Sequence, residues 1–174
     1  MKKTSKLVYL SLLVAQALVL HIFESMIPVP FITPGAKLGL SNLVTVIALY
    51  TLKDYRETFL VVIMRITLAT MFGGSLSTFM YSLSGGILSF LAMIFVKEIF
   101  KDRVSIIGVS STGAVFHNIG QLIVAGLIVR NMAVITYLPL LSVAGIGTGI
   151  FIGVAANYIT KHLEKIPYFK KIKQ

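Results

Sequence analysis

Six apolar runs, each bounded by charge, proline or glycine, constrain this chain more than any single motif does. A helix rises about 1.5 Å per residue, so about 20 apolar residues cross a hydrocarbon core of about 30 Å. The runs cover about residues 7–27, 38–52, 58–72, 76–96, 106–129 and 134–159. Pro28, Pro30 and Pro34 end the first, the cluster Lys53-Asp54-Tyr55-Arg56-Glu57 the second, Gly73-Gly74 the third and Lys97-Glu98 the fourth. Pro139 falls one turn inside the start of the sixth. The second run is short for a full crossing, which leaves a tilted or partly re-entrant segment as the alternative there. The expected fold is all-α: one integral membrane domain over residues 1–174, a bundle of about six transmembrane helices.

Charge placement supports the count. With only 13% charged and 56% hydrophobic residues and a mean hydropathy of +0.91, the chain has too little charge to cover a water-facing surface. The net charge of +10 does not point to nucleic acid, because the basic residues form no patch with interleaved aromatics. They lie between the apolar runs. Lys2, Lys3 and Lys6 precede span one, Lys53 and Arg56 follow span two, and Lys97, Lys101 and Arg103 follow span four. Lys161, Lys165, Lys170, Lys171 and Lys173 follow span six. The other side carries only Lys37 and Arg130, and Arg65 lies within a span. The positive-inside rule then puts both termini in the cytoplasm, with an even number of spans. The basic tail from Lys161 is expected to rest on the anionic inner leaflet. Ala15-Gln16-Ala17 resembles a signal-peptide cleavage site, but the apolar run continues to Ile27 and cleavage would leave an odd count. No Cys is present, which excludes disulfides and thiolate metal sites, and no set of His or carboxylates has metal-ligand spacing. No metal and no cofactor are expected.

Polar groups inside apolar runs are the informative ones, since an ionisable side chain at mid-bilayer costs about 2.5–3.5 kcal/mol on insertion scales. Span one holds Gln16, His21 and Glu24, span three Arg65, and span five His117, Asn118 and Gln121. All are expected to face the bundle interior or a wet cavity. Glu24 and Arg65 lie at similar depth, which suggests a buried ion pair that either fixes two helices or serves a substrate. Gly113, His117 and Gln121 recur at four-residue spacing and share one helical face, with Asn118 beside it. That pattern suits a pocket for a polar ligand group; interhelical hydrogen bonding is the plainer alternative.

Gly145, Gly149 and Gly153 repeat every four residues on span six, with Gly147 adjacent, and predict close helix packing. Ser11 and Ala15 form a weaker small-residue face on span one. The Pro-stiffened connector from Pro28 to Leu40 lies outside under this topology and is either a lid over the bundle mouth or a loop resting on the interface.

Three motifs carry a resemblance: Glu24 through Asn42 with its Pro34-Gly35-Ala36-Lys37-Leu38-Gly39-Leu40-Ser41-Asn42 end, Tyr81-Ser82-Leu83-Ser84-Gly85-Gly86, and Gly113 through Leu122. From about Leu7 to Ile159 the chain resembles the bacterial membrane family named heptaprenyl diphosphate synthase component I, also called the Gx transporter family. That family is similar to the substrate-binding S components of energy-coupling factor (ECF) transporters. The resemblance implies six helices, a ligand held by the later ones under the loop after helix one, and a helix-one contact for a transmembrane coupling subunit, approximated here by Ser11 and Ala15. The enzymatic name finds no residues to carry it. Prenyl diphosphate synthases need clustered aspartates for Mg²⁺, and Asp54 and Asp102 are isolated.

The functional expectation is therefore a non-enzymatic, substrate-binding membrane subunit of a small-molecule transporter. The ligand would meet Lys37 and Asn42 and rest against Arg65, Tyr81, Ser84, His117, Asn118 and Gln121. Lys37, Arg65 and His117 favour an anionic or strongly polar ligand. The chain has no phosphate-binding Gly-x-x-x-x-Gly-Lys-Ser/Thr loop, so ATP hydrolysis would come from partner ATPases through a coupling subunit. The alternative is a non-catalytic accessory protein in polyprenyl or quinone metabolism or membrane electron transfer.

Overall fold

The computed structural model describes residues 3–26, 39–72 and 75–166. Six α-helices account for most of them: α1 (Lys3–Met26), α2 (Asn42–Thr51), α3 (Tyr55–Met71), α4 (Leu76–Phe100), α5 (Ile106–Val129) and α6 (Leu138–Leu163). Short 3₁₀ turns at 101–103 and 132–137 precede α5 and α6, and no strand occurs among the described residues. The connector at 27–38, Lys37 and the tail beyond 166 lie outside the described residues.

Local sequence sets the helix ends. Asp54, Ser75 and Ser105 stand just before α3, α4 and α5, and each side chain accepts a hydrogen bond from a first-turn backbone N–H. Arg130 ends α5 in the left-handed region at φ 54°. Pro139 sits in the first turn of α6 rather than one turn inside the helix, because residues 132–137 form a 3₁₀ turn. Proline lacks an N–H, and the first turn is where none is needed.

Four segments are long and apolar enough to cross a membrane: Thr4–Glu24, Leu76–Arg103, Ile106–Val129 and Met132–Leu163. The outward faces of these helices and of α3 carry large apolar side chains that water would not favour, among them Leu12, Phe23, Leu60, Phe95, Leu127 and Phe151. The second expected span is different. At ten residues, α2 is about 15 Å long, half the hydrocarbon thickness. It packs against α1, α3, α5 and α6, and Val44, Val46, Ile47, Ala48 and Leu49 are all buried. Being apolar all round, it is a core helix.

Glycine brings α4, α5 and α6 together. A Cβ at Gly120 would sit 2.7 Å from the Ser84 carbonyl oxygen, and one at Gly149 would sit 2.5 Å from Ser111 Cα. Backbone therefore meets backbone at both crossings. The repeat Gly145, Gly149, Gly153 faces α5, whereas Gly147 opens onto empty space.

The end of the bundle that holds the α2 C-terminus is closed by polar contacts. Lys97 Nζ donates to the Leu49 carbonyl oxygen at 2.7 Å and lies 4.8 Å and 5.2 Å from the ring centres of Tyr50 and Tyr55. A cation at a helix C-terminus and over aromatic faces is favourable on both counts. Tyr9 donates to Thr51 Oγ1 at 2.8 Å, Lys6 pairs with Glu57, and Tyr55 donates to Glu98. Burial pushes the Tyr55 phenol up to about 12, and the hydrogen bond and charge of Glu98 push the same way.

Candidate functional site: a polar cleft around the α2 N-terminus

At the opposite end, five helices bring polar side chains to one cleft. On α1, Ala17, His21 and Glu24 recur at four- and three-residue spacing, so one face supplies all three. The α2 entry supplies Gly39, Ser41 and Asn42, α3 supplies Arg65, Ile66 and Ala69, α4 Ser82, and α5 His117 and Gln121. The cleft measures about 460 Å³ counting its open mouth, and its enclosed part has room for about two water molecules.

The first turn of α2 is held from both sides. Gly39 has φ +76°, a conformation that costs glycine little, and this aims its N–H at Glu24 Oε1, which accepts it. A carboxylate beside a helix N-terminus also meets the positive end of the helix dipole. Arg65, 6% exposed, donates from Nη1 to Ser41 Oγ at 2.5 Å and from Nη2 to Asn42 Oδ1 at 2.8 Å. The Asn42 N–H closes the turn on the Gly39 carbonyl at 2.8 Å. Glu24 is 3% exposed, and its charge acts on Arg65 across this turn. Two expected partners thus share one cleft, with the start of α2 bonded to both.

Among the described residues, four buried side-chain polar atoms lack a hydrogen-bond partner, and two of them belong to residues that line the cleft. Arg65 Nε has no hydrogen-bond partner. The His117 ring lies on the bare Cα of Gly85, where a Cβ would come 2.9 Å from Nδ1 and Cε1. His117 Nδ1 faces the Gly85 backbone without a hydrogen bond of ordinary geometry. Unsatisfied polar atoms in a bundle interior cost free energy, and a bound molecule or water would relieve that cost.

Of the site residues expected from sequence, Asn42, Arg65, His117 and Gln121 line the cleft, together with Glu24. Asn118, one position round α5 from His117, turns to α6 and donates to the Leu141 carbonyl at 2.7 Å. Ser84 ties α4 to α5 through the Gly120 carbonyl at 2.9 Å, and its neighbour Ser82 lines the cleft instead. Tyr81 is half-buried and outside the lining. Gly113 leaves no space, because Met93 and Ser89 fill the position next to it. Gln16, expected inside, is exposed on the outward face of α1 with Ser11 and Ala15, because the inward stripe runs through Leu13, Ala17 and Glu24. Ser41 and Ser82 were not among the expected site residues, whereas His21, expected to face the interior or a wet cavity, lines the cleft.

Such a cleft presents hydrogen-bond donors and acceptors at its mouth. Among the described residues no group of three His, Cys, Asp or Glu could hold a metal ion. Asp54 caps α3 and Asp102 lies in a 3₁₀ turn, both away from the cleft. No curated protein matches the chain, and no solved structure does. The model of one family matches residues 13–159, which is most of the chain, and on that match the chain belongs to the family described as heptaprenyl diphosphate synthase component I.

Proposed function

We propose that the chain is a substrate-binding membrane subunit of a small-molecule transporter, similar to an ECF S component, and not an enzyme. The observation that carries this reading is a polar cleft inside an otherwise apolar bundle, lined by Arg65 and His117, each of which keeps one buried nitrogen without an ordinary hydrogen bond. Intramembrane ionisable groups are expensive and tend to mark substrate paths. The bundle lies in the bacterial cytoplasmic membrane with both termini on the cytoplasmic side. Ligand enters at the end where α2 begins, and the seal around Lys97 closes the other end. Ser11, Ala15 and Gln16 on the outward face of α1 offer a contact for a transmembrane coupling subunit, whose ATPases supply the energy. A polar Gln facing outward is better satisfied by a partner helix than by lipid.

The family description favours a second reading, an accessory component of a prenyl diphosphate synthase or of quinone-linked metabolism. Native mass spectrometry of the detergent-purified chain separates the two. A stoichiometric small molecule that is lost in His117→Ala supports the binding subunit. An empty chain that retains a prenyltransferase or redox enzyme supports the accessory role.

A further inference from the structure

We propose that the outward groove between α3 and α4 is a binding site for an anionic phospholipid, with an acyl chain along the groove and the phosphate at its Arg56 and Lys101 end. This goes beyond the binding-subunit reading and rests on the membrane placement given with it, not on what the cleft binds.

The groove follows from how the two helices meet. They run antiparallel: Tyr55, at the start of α3, donates to Glu98, near the end of α4, whereas Val62 and Ile66 lie over Gly86, nearer the start of α4. Phe59 and Phe90 meet between these points, with ring centres 5.6 Å apart. A helix turns about 100° per residue, so in an antiparallel pair the residue after each contact turns to the same side of both helices. On α3 these residues are Arg56 and Leu60, and on α4 they are Leu91 and Ile99, with Phe95 between the last two on one stripe. All five are exposed. The residues before the contacts, Thr58, Val61, Arg65 and Ser89, turn the other way and are buried. Side chains hold α3 and α4 apart, whereas α4 meets α5, and α5 meets α6, backbone to backbone at Gly120 and Gly149. The α3–α4 side therefore leaves more room for an acyl chain between helices.

Charge at one end selects the headgroup. The Tyr55–Glu98 bond puts the first turn of α3 beside the last turn of α4, so Arg56 and Lys101 border the same end of the groove. Lys53 and Arg103 lie in the turns next to them. All four are exposed, and none has an ion-pair partner among the described residues. Three nearby carboxylates are engaged within the fold: Asp54 caps α3, Glu57 pairs with Lys6, and Glu98 accepts from Tyr55. Asp102 stands exposed between Lys101 and Arg103, and the rim as a whole is left basic. Phosphate oxygens take charge-assisted hydrogen bonds from Arg and Lys. Leu60, Phe95 and Ile99 continue the site as apolar surface, which a free phosphate or an acidic peptide would not cover and an acyl chain would.

The test uses the full chain, purified in mild detergent, stripped of native lipid and titrated with dioleoyl phosphatidylglycerol or with phosphatidylcholine of the same acyl chains. Bound lipid is counted by native mass spectrometry. The expected result is a phosphatidylglycerol near one per chain, retained about tenfold or more over phosphatidylcholine. Arg56→Gln with Lys101→Gln abolishes most of that preference, and Phe95→Gln weakens retention of both lipids. Lys161→Gln with Lys165→Gln, the same change of charge at the end of α6, leaves the preference in place. Each variant is compared at wild-type helix content by circular dichroism. Equal retention of the two lipids overturns the proposal. So does a preference kept without Arg56 and Lys101, one lost equally without Lys161 and Lys165, or unchanged retention in Phe95→Gln. A photo-crosslinker at position 95 that captures a protein helix instead of lipid in native membranes overturns the choice of occupant.

Discussion

Replacing Arg65 with Met removes the donor side of the clamp on α2 and leaves the acceptor side in place. Two charge-assisted hydrogen bonds go, to Ser41 Oγ at 2.5 Å and to Asn42 Oδ1 at 2.8 Å, each worth about 1.5–3 kcal/mol. Glu24 stays, 3% exposed, and loses the electrostatic attraction of Arg65. The two hydrogen bonds set the expected total at about 3–6 kcal/mol. Glu24→Gln is milder, about 1–3 kcal/mol, since an amide oxygen still accepts from the Gly39 N–H. In the double variant no buried charge is left over, so it should be more stable than the sum of the single losses predicts by at least about 1.5 kcal/mol. The chain has no Trp, so unfolding in SDS is best followed by far-ultraviolet circular dichroism of its helices. Additivity to within about 0.5 kcal/mol would show that Glu24 and Arg65 act independently, and the clamp would be refuted.

Gly149→Ala places a methyl 2.5 Å from Ser111 Cα, where backbone cannot yield, and should cost about 1–3 kcal/mol after α5 and α6 move apart. Gly147→Ala, two residues away and facing open space, should instead be neutral or gain up to about 1 kcal/mol of helix propensity; equal thermal stability for the two variants would remove the packing argument. Lys97→Met should loosen the sealed end, seen as faster amide exchange at the α2 C-terminus with protection retained at mid-α5. The neutral Tyr55 phenol is favoured by the fold, so its contribution is whole below pH 10.0 and is lost as pH rises towards about 12. A phenolate absorbance difference between the native chain and Tyr55→Phe should therefore appear late in the titration, and earlier once Glu98→Gln removes the carboxylate.

Periodicity and end signals made much of the fold legible. Span five was expected over 106–129 and is α5 to the residue, because Ser105 caps one end and the left-handed Arg130 ends the other. Span two was legible as an anomaly: its length argued against a simple crossing, but only packing explains why a ten-residue apolar helix persists. Depth paired Glu24 with Arg65, spacing paired His117 with Gln121, and all four line one cleft. They did not settle direction. A helix turns about 100° per residue, so His117 lines the cleft while Asn118 bonds α6, and Ser82 lines it while Ser84 bonds α5. Nor does polarity alone turn a side chain inward, as the exposed Gln16 shows.

The burial of α2 on every side bears on how the chain comes to be inserted. A ten-residue segment is too short to partition into the bilayer by itself as synthesis proceeds, and its neighbours α5 and α6 emerge only after a further fifty residues and more. Until then its apolar side chains have α1 and α3 for shelter, with Lys97 of α4 over one end. A nascent chain stopped after α4 should therefore expose residues 42–51 to proteases and to chaperones of the membrane insertion machinery, and completion of α6 should withdraw them. The last helices made thus complete the core for one of the first, and a lesion at Gly149 should be felt as failed biogenesis before it is felt as lost binding.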